Sequence, residues 1–314
     1  MVFSLEFRGV YLSEIRNNDA DELGGQVVVL PDGRHLGYLI VGKGKPVVYF
    51  HGTASSRLEV RLLTELAKTS QLQIIGIDRP GYGLSTFVPP KSLCDFAHDV
   101  NFLVDHLGIE QFGTIGWSGG GAFALTYVAL FQERVTHAVV AGSPALPFDV
   151  STAHNMPFAR FIMKLPYLGT VALKTMQTQV LKANGNISAF LVSRNGRRML
   201  KGWPEEDAKF FSNEAWATLM YGSMAEAFRQ GNQGVKTVFL EHQLFTKPWP
   251  VSLSRIPAAK VSVWQGAEDK TCRLDNAYRI VHDVSGAHLE IFEGKGHCVM
   301  FDNIEKLSKI FRPS

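Results

Sequence analysis

Apolar residues recur along this chain in two rhythms. Short β-branched runs at 26–30, 36–41, 46–50, 72–77, 112–117 and 138–141 read as strands, and the first two flank the turn Pro31-Asp32-Gly33 as a hairpin. Segments of helical period at about 57–68, 93–107 and 119–131 separate the later runs. Strand and helix in regular alternation imply a parallel sheet covered on both faces, with right-handed crossovers. The rhythm breaks after Pro144. From about 147 to 256 no strand run is evident, proline-punctuated amphipathic segments such as 158–163 and 208–228 take over, and six of the eight methionines fall there. Strands return at 260–265 and 287–292, followed by a last helix at about 303–311. The expected fold class is therefore α/β: a mostly parallel eight-stranded sheet with helices on both faces and an inserted helical cap. Residues 1–146 and 257–314 would form the core domain and 147–256 the cap.

Composition narrows the class without naming it. With 46% hydrophobic residues in 314, the chain can bury a large core, and a net charge of +3 is spread along it rather than gathered in a block. The densest basic run, Arg194 to Lys201, lacks interleaved aromatic residues and reads as a solvated helix face, so nucleic acid is not an expected partner. Cys94, Cys272 and Cys298 are too far apart for CxxC spacing and read as free thiols of a reducing compartment. No apolar run reaches the ~18 residues of a membrane span, and the N-terminus lacks an uninterrupted apolar signal region, so a cytoplasmic location is expected. Gly37 to Gly44 approaches a phosphate-loop pattern but lacks the hydroxyl after Lys43 and the following helix. The histidines show no paired metal spacing. Neither a metal nor a cofactor is expected.

The candidate chemistry begins at three consecutive glycines, Gly119 to Gly121, heading an otherwise good helix. Each costs about 1 kcal/mol relative to alanine there, so geometry must require them. Gly116-Trp117-Ser118-Gly119-Gly120 fits G-x-S-x-G, with a strand before it and a helix after it. At such a corner the serine is strained and raised above the sheet edge. Gly116 and Gly120 let strand and helix approach, and the Gly119 amide is left uncovered for an oxyanion. Gly121 has only close packing to explain it. A serine nucleophile needs a base and an orienting acid. Beyond the cap, one strand ends in Gly266-Ala267-Glu268-Asp269 and the next in Glu293-Gly294-Lys295-Gly296-His297. His297 is the candidate base. Asp269 is the favoured acid, with its neighbour Glu268 and the more distant Asp149 as alternatives. After the third strand, in His51-Gly52-Thr53-Ala54-Ser55-Ser56-Arg57, the Thr53 amide is the candidate second oxyanion donor, and His51 is read as ordering the loop.

With HGTASSR, DRPGYGLS and GWSGGG in this order, completed by GAED and GKGH, the chain resembles the α/β-hydrolase fold family, in its capped serine-hydrolase, esterase-like branch. The resemblance covers about 25–145 and 257–312. It implies no chemistry for Asp78, Gly81 or Gly83, and the family often has proline where this chain has Ala54. The scaffold also hosts dehalogenases and epoxide hydrolases, which use an aspartate where this chain has Ser118. The expected activity is hydrolysis of a carboxylic ester or lactone of a small, moderately apolar substrate by Ser118, His297 and Asp269, with Thr53 and Gly119 as the oxyanion hole. A ligand-binding receptor-like member, a lyase or cofactor-free peroxidase, and a peptidase remain open. Cap residues such as Met176, Met220, Met224, Phe210 and Phe211 would either form the cap's own core or line an adaptable pocket.

Overall fold

Side chains of alternating burial direction organise the sheet. In β3 (Lys45–Phe50), Val47 and Tyr49 join one core cluster while Val48 and Phe50 join the other, the two-residue period of a strand covered on both faces. The computed structural model describes residues 23–148 and 164–312. Within them one sheet holds all eight strands: β1 (Gln26–Val29), β2 (His35–Gly42), β3, β4 (Leu72–Ile77), β5 (Phe112–Trp117), β6 (Val135–Ala141), β7 (Val261–Gly266) and β8 (His288–Phe292). The spatial order is β1-β2-β4-β3-β5-β6-β7-β8. β2 runs antiparallel to both β1 and β4, and every later pairing is parallel. The loops after β3, β5, β7 and β8 therefore gather at one edge of the sheet, where ligands of open parallel sheets bind.

Helices α1 (Thr64–Thr69) and α12 (Ile304–Phe311) pack on one face through Leu66, Leu307 and Phe311. On the other face lie α2 (Leu93–His106), α3 (Gly119–Leu130) and α10 (Leu274–Asp283). A short α11 (Val299–Asp302) precedes α12. Between β6 and β7 the described residues contain six α-helices, two short 3-10 helices (Leu253–Arg255 and Ala258–Lys260) and no strand; the α-helices are α4 (Pro166–Gly185), α5 (Ile187–Val192), α6 (Arg194–Gly202), α7 (Glu205–Ser212), α8 (Glu214–Ala227) and α9 (Asn232–Phe245). They share a small core of their own, with Leu173, Val180, Ala217, Tyr221 and Val235, which Ala54 and Tyr82 from the sheet loops enter.

Several boundaries differ from the sequence reading for identifiable reasons. β6 begins at Val135, three positions early, because Thr136 and His137 interrupt the apolar run while Val135 pairs with Phe112. The segment 208–228 is two helices, since Asn213 accepts from the Trp216 amide and starts α8 anew. The first half of 57–68 is a 3-10 turn, Arg57–Leu63. Helix α10 has no counterpart in the sequence reading, although Asn276, Ala277 and Ile280 share its buried face. The segment 158–163, with Met156 and Asp149, lies outside the described residues.

Two buried cations fasten the helices to the strand-end loops. Arg57 donates to Asp78 Oδ2 at 2.9 Å and to Glu226 Oε1 of α8 at 2.7 Å, all three side chains being almost fully buried. Arg79 pairs with Glu241 of α9 and also donates to the His51 carbonyl at 2.6 Å, while Tyr82 Oη donates to Glu241 Oε2 at 2.9 Å. Burial and the adjacent Arg79 hold the His51 imidazole well below its ordinary pKa, so the ring is neutral and orders the loop. Among the described residues no helix is long and apolar enough to cross a membrane, and no cluster of His, Cys, Asp or Glu has the shape of a metal site.

Candidate active site

Ser118 stands between the last residue of β5 and the first of α3 with φ 53° and ψ −130°, a conformation that strains a residue bearing a Cβ by about 1–3 kcal/mol. The three glycines after it are demanded by close approach. A Cβ would stand 2.2 Å from Thr53 Oγ1 at Gly119, 2.0 Å from the Phe50 carbonyl oxygen at Gly120, and 1.8 Å from Ser143 Oγ at Gly121. Gly121 thus has its reason in the loop after β6. The backbone N–H groups of Thr53 and Gly119 make no hydrogen bond among the described residues. Gly119 opens a helix, whose first amides have no partner within it.

The loops after β7 and β8 bring Asp269 and His297 together. His297 Nδ1–H donates to Asp269 Oδ2 at 2.9 Å, and Asp269 Oδ1 accepts from the Thr271 and Cys272 amides at 2.7 and 2.9 Å. With Nδ1 carrying the proton, Nε2 is the acceptor. Burial pulls the imidazole pKa down, but the Asp269 carboxylate outweighs it, helped by Asp207 and Glu59, and the net value lies above the ordinary 6.5. Glu268 is exposed and Asp269 buried, so the adjacent carboxylates are separated by burial; the third alternative, Asp149, lies outside the described residues. The Ser118 hydroxyl makes no hydrogen bond among the described residues.

Ser118, His297, Thr53 and Gly119 all line one cavity of about 500 Å³, within the usual range for small-molecule sites. Its walls are apolar: Met176, Met199, Met220 and Met224 together with Trp203, Phe211 and Phe245. Of the aromatic pair Phe210 and Phe211, only Phe211 reaches it; Phe210 packs on Phe301. Polar groups are few. Tyr221 Oη donates to Met199 Sδ at 2.7 Å, and His242 Nδ1–H donates to the Val238 carbonyl at 2.7 Å, which leaves Nε2 as an acceptor on a ring that burial keeps neutral. Glu59 Oε1 accepts from Tyr49 Oη at 2.6 Å and from the Gly52 amide at 3.1 Å, bracing the turn before Thr53, and burial raises its pKa. Lys270 stands exposed at the rim.

Sequence reasoning missed His242, Glu59, Trp203 and Asp207. Glu59 lies just after the HGTASSR stretch, but a lone glutamate there gives no sign that it turns back to the Gly52 amide; the other three lie outside any motif and reach the site through the packing of elements distant in sequence. Cys298, beside His297, is a buried thiol whose pKa burial pushes up.

Comparison with known proteins agrees with this architecture. An uncharacterized hydrolase of Bacillus subtilis is 36% identical over 33% of this chain, a stretch spanning 36% of that relative's length. A 2-hydroxy-6-oxononadienedioate/2-hydroxy-6-oxononatrienedioate hydrolase of Comamonas testosteroni is 25% identical over 86% of this chain and 87% of its own. Among solved structures, a hydrolase from Pseudomonas aeruginosa superposes with a TM-score of 0.64 over 93% of this chain and 97% of the other at 16% identity, a likeness of fold. Residues 45–304 match the alpha/beta hydrolase fold family, and with the sheet order and the strained serine corner in agreement, the chain belongs to that family.

Proposed function

We propose that the protein is a serine hydrolase that cleaves a carboxylic ester or lactone of a small, moderately apolar substrate through an acyl-enzyme. The observation that carries this reading is that His297, its tautomer fixed by the 2.9 Å bond to Asp269, lines the same cavity as Ser118 and two unbonded amides. Ser118 Oγ attacks the carbonyl carbon as His297 Nε2 takes its proton. The oxygen that becomes negative accepts from the Thr53 and Gly119 N–H groups. Collapse breaks the bond to the leaving alkoxide, which takes the proton from His297; in a lactone it stays tethered to the acyl group. Water, deprotonated by His297, then attacks the acyl-enzyme and frees Ser118. Contact between the Ser118 hydroxyl and Nε2 closes as substrate binds, as catalytic hydrogen bonds commonly do. In this reading residues 147–256 form a cap over the core of 1–146 and 257–314. Its methionines supply an adaptable apolar wall that favours a moderately apolar acyl or alcohol group. The chemistry calls for no cofactor.

The test needs no knowledge of the substrate. Ser118 Oγ should displace fluoride from a fluorophosphonate, giving one adduct by intact-mass spectrometry, absent from Ser118→Ala and formed slowly by His297→Ala. A folded wild type that gains no adduct would overturn the reading. Substrates follow from a chain-length series of esters and lactones, where exclusive turnover of acetyl or charged esters would contradict the apolar preference.

A further inference from the structure

His297 is held from the inserted helices as well as from the sheet. Asp207, in the first turn of α7, is 1% exposed, and its carboxylate accepts two consecutive backbone amides: His297 N–H on Oδ2 and Cys298 N–H on Oδ1, both at 2.8 Å. A Cβ on Gly296 would stand 2.1 Å from Asp207 Oδ2, so only glycine leaves room for this grip. Around it, Lys295 pairs with Glu206 at 3.0 Å, and the Trp203 ring stacks on the imidazole at 6.4 Å and 29°. From the sheet side, Asp269 holds Nδ1 and Trp117 Nε1–H donates to the His297 carbonyl at 2.9 Å. Two carboxylates thus divide the work, one fixing the ring and the other the backbone that carries it.

We propose that Asp207 is a positioning residue for the reaction: a carboxylate delivered by α7 fixes the His297 loop, so that the imidazole is set for proton transfer only while α7 is docked. This rests on the reading of Ser118, His297 and Asp269 given above. Bonds from backbone amides to a carboxylate are charge-assisted and directional, and a misplacement near 1 Å at a catalytic group costs about 100-fold in rate. The charge also acts on the base. The groups facing the imidazole are Asp269 from the loop after β7, Asp207 from α7 and Glu59 from the 3-10 turn, all raising its pKa, with the neutral thiol of Cys298 next to it and Lys270 at the rim.

The experiment measures the rate of fluorophosphonate labelling at Ser118 against pH in the full chain, for wild type, Asp207→Asn, Gly296→Ala and Lys295→Met, alongside thermal melts. Asparagine keeps one acceptor but turns its NH2 toward the other amide, and it removes the charge. Asp207→Asn is expected to label about 10- to 100-fold more slowly, with its acid limb moved to lower pH. Gly296→Ala keeps the charge but forces the carboxylate away, and is expected to slow labelling with less movement of the limb. Lys295→Met breaks the pairs with Glu206 and Asp302 and leaves both amide bonds, and is expected to stay within about twofold of wild type. A folded Asp207→Asn with wild-type rate and limb would overturn the proposal. So would a slowing that Lys295→Met reproduces in proportion to lost melting temperature, with the limb unmoved. If Asp207→Asn does not fold, Gly296→Ala decides alone: wild-type labelling there overturns the proposal. Labelling absent from wild type, or independent of His297, would instead overturn the parent reading.

Discussion

Ala54 has φ 58°, next to the amide that would receive the negative oxygen. The proline that the family often carries at this position is locked near −65° and cannot adopt that angle, so this chain's loop follows its own path. Ala54→Gly should be neutral or raise the melting temperature slightly, because glycine takes a positive φ without a steric penalty. Ala54→Pro should slow labelling of Ser118 by at least about tenfold, since it also removes the N–H that donates to Tyr82 Oη at 3.4 Å. Equal labelling by the two variants would show that the loop's angle does not matter. At His297 the sign of the pH effect follows from the raised pKa. Below that pKa the ring is an imidazolium and cannot accept the Ser118 proton, so kcat/KM should fall as pH drops, with a midpoint above the 6.5 of an ordinary imidazole. A profile of the chemical step flat from pH 5 to 8 would contradict this role. The same proton favours the fold: its stabilisation is complete below the unfolded pKa and is lost as pH rises through the folded one.

Elements differ in how plainly the sequence announces them. Strands such as Leu72–Ile77 and Phe112–Trp117 are legible to the residue because both their faces are buried and nearly every position is apolar or small. The serine corner is legible because three glycines in a row cost a helix too much to be kept without a geometric need. Between Asp269 and Glu268 the sequence supports only a preference for Asp269, and it is the turn of the loop after β7 that buries Asp269 and leaves Glu268 exposed. The carboxylates that join helices to sheet are invisible for a different reason: Asp207, Glu226 and Glu241 meet partners 90, 169 and 162 positions away, beyond the reach of any local pattern. Their energetics are testable at this scale. Glu241→Ala leaves Arg79 buried without its carboxylate and should cost about 3–5 kcal/mol, read as a fall of roughly 10 °C in melting temperature. Replacing both partners, as Arg79→Met with Glu241→Leu, should recover most of it. A single variant as stable as wild type would contradict a dominant role for the pair.

Across the whole molecule the six helices touch the sheet where the chemistry is proposed. Glu226 reaches Arg57, Glu241 reaches Arg79, and Ser223 Oγ receives the Ser56 amide at 3.1 Å, so the loop that carries Thr53 is braced from above. Asp207 does the same for the His297 loop. The cavity between them is closed mainly by methionines and aromatic rings, which can repack around a ligand while the charged contacts stay in place. These contacts also bear on engineering by exchange of parts. The stretch between β6 and β7 is an obvious module to transplant between relatives, yet it carries three carboxylates cut to fit this recipient. Grafted onto a core without Arg57, Arg79 and a glycine at the Gly296 position, it would bury charges with nothing to meet them. A chimera made at those boundaries should therefore fold only when the three matching residues travel with the graft.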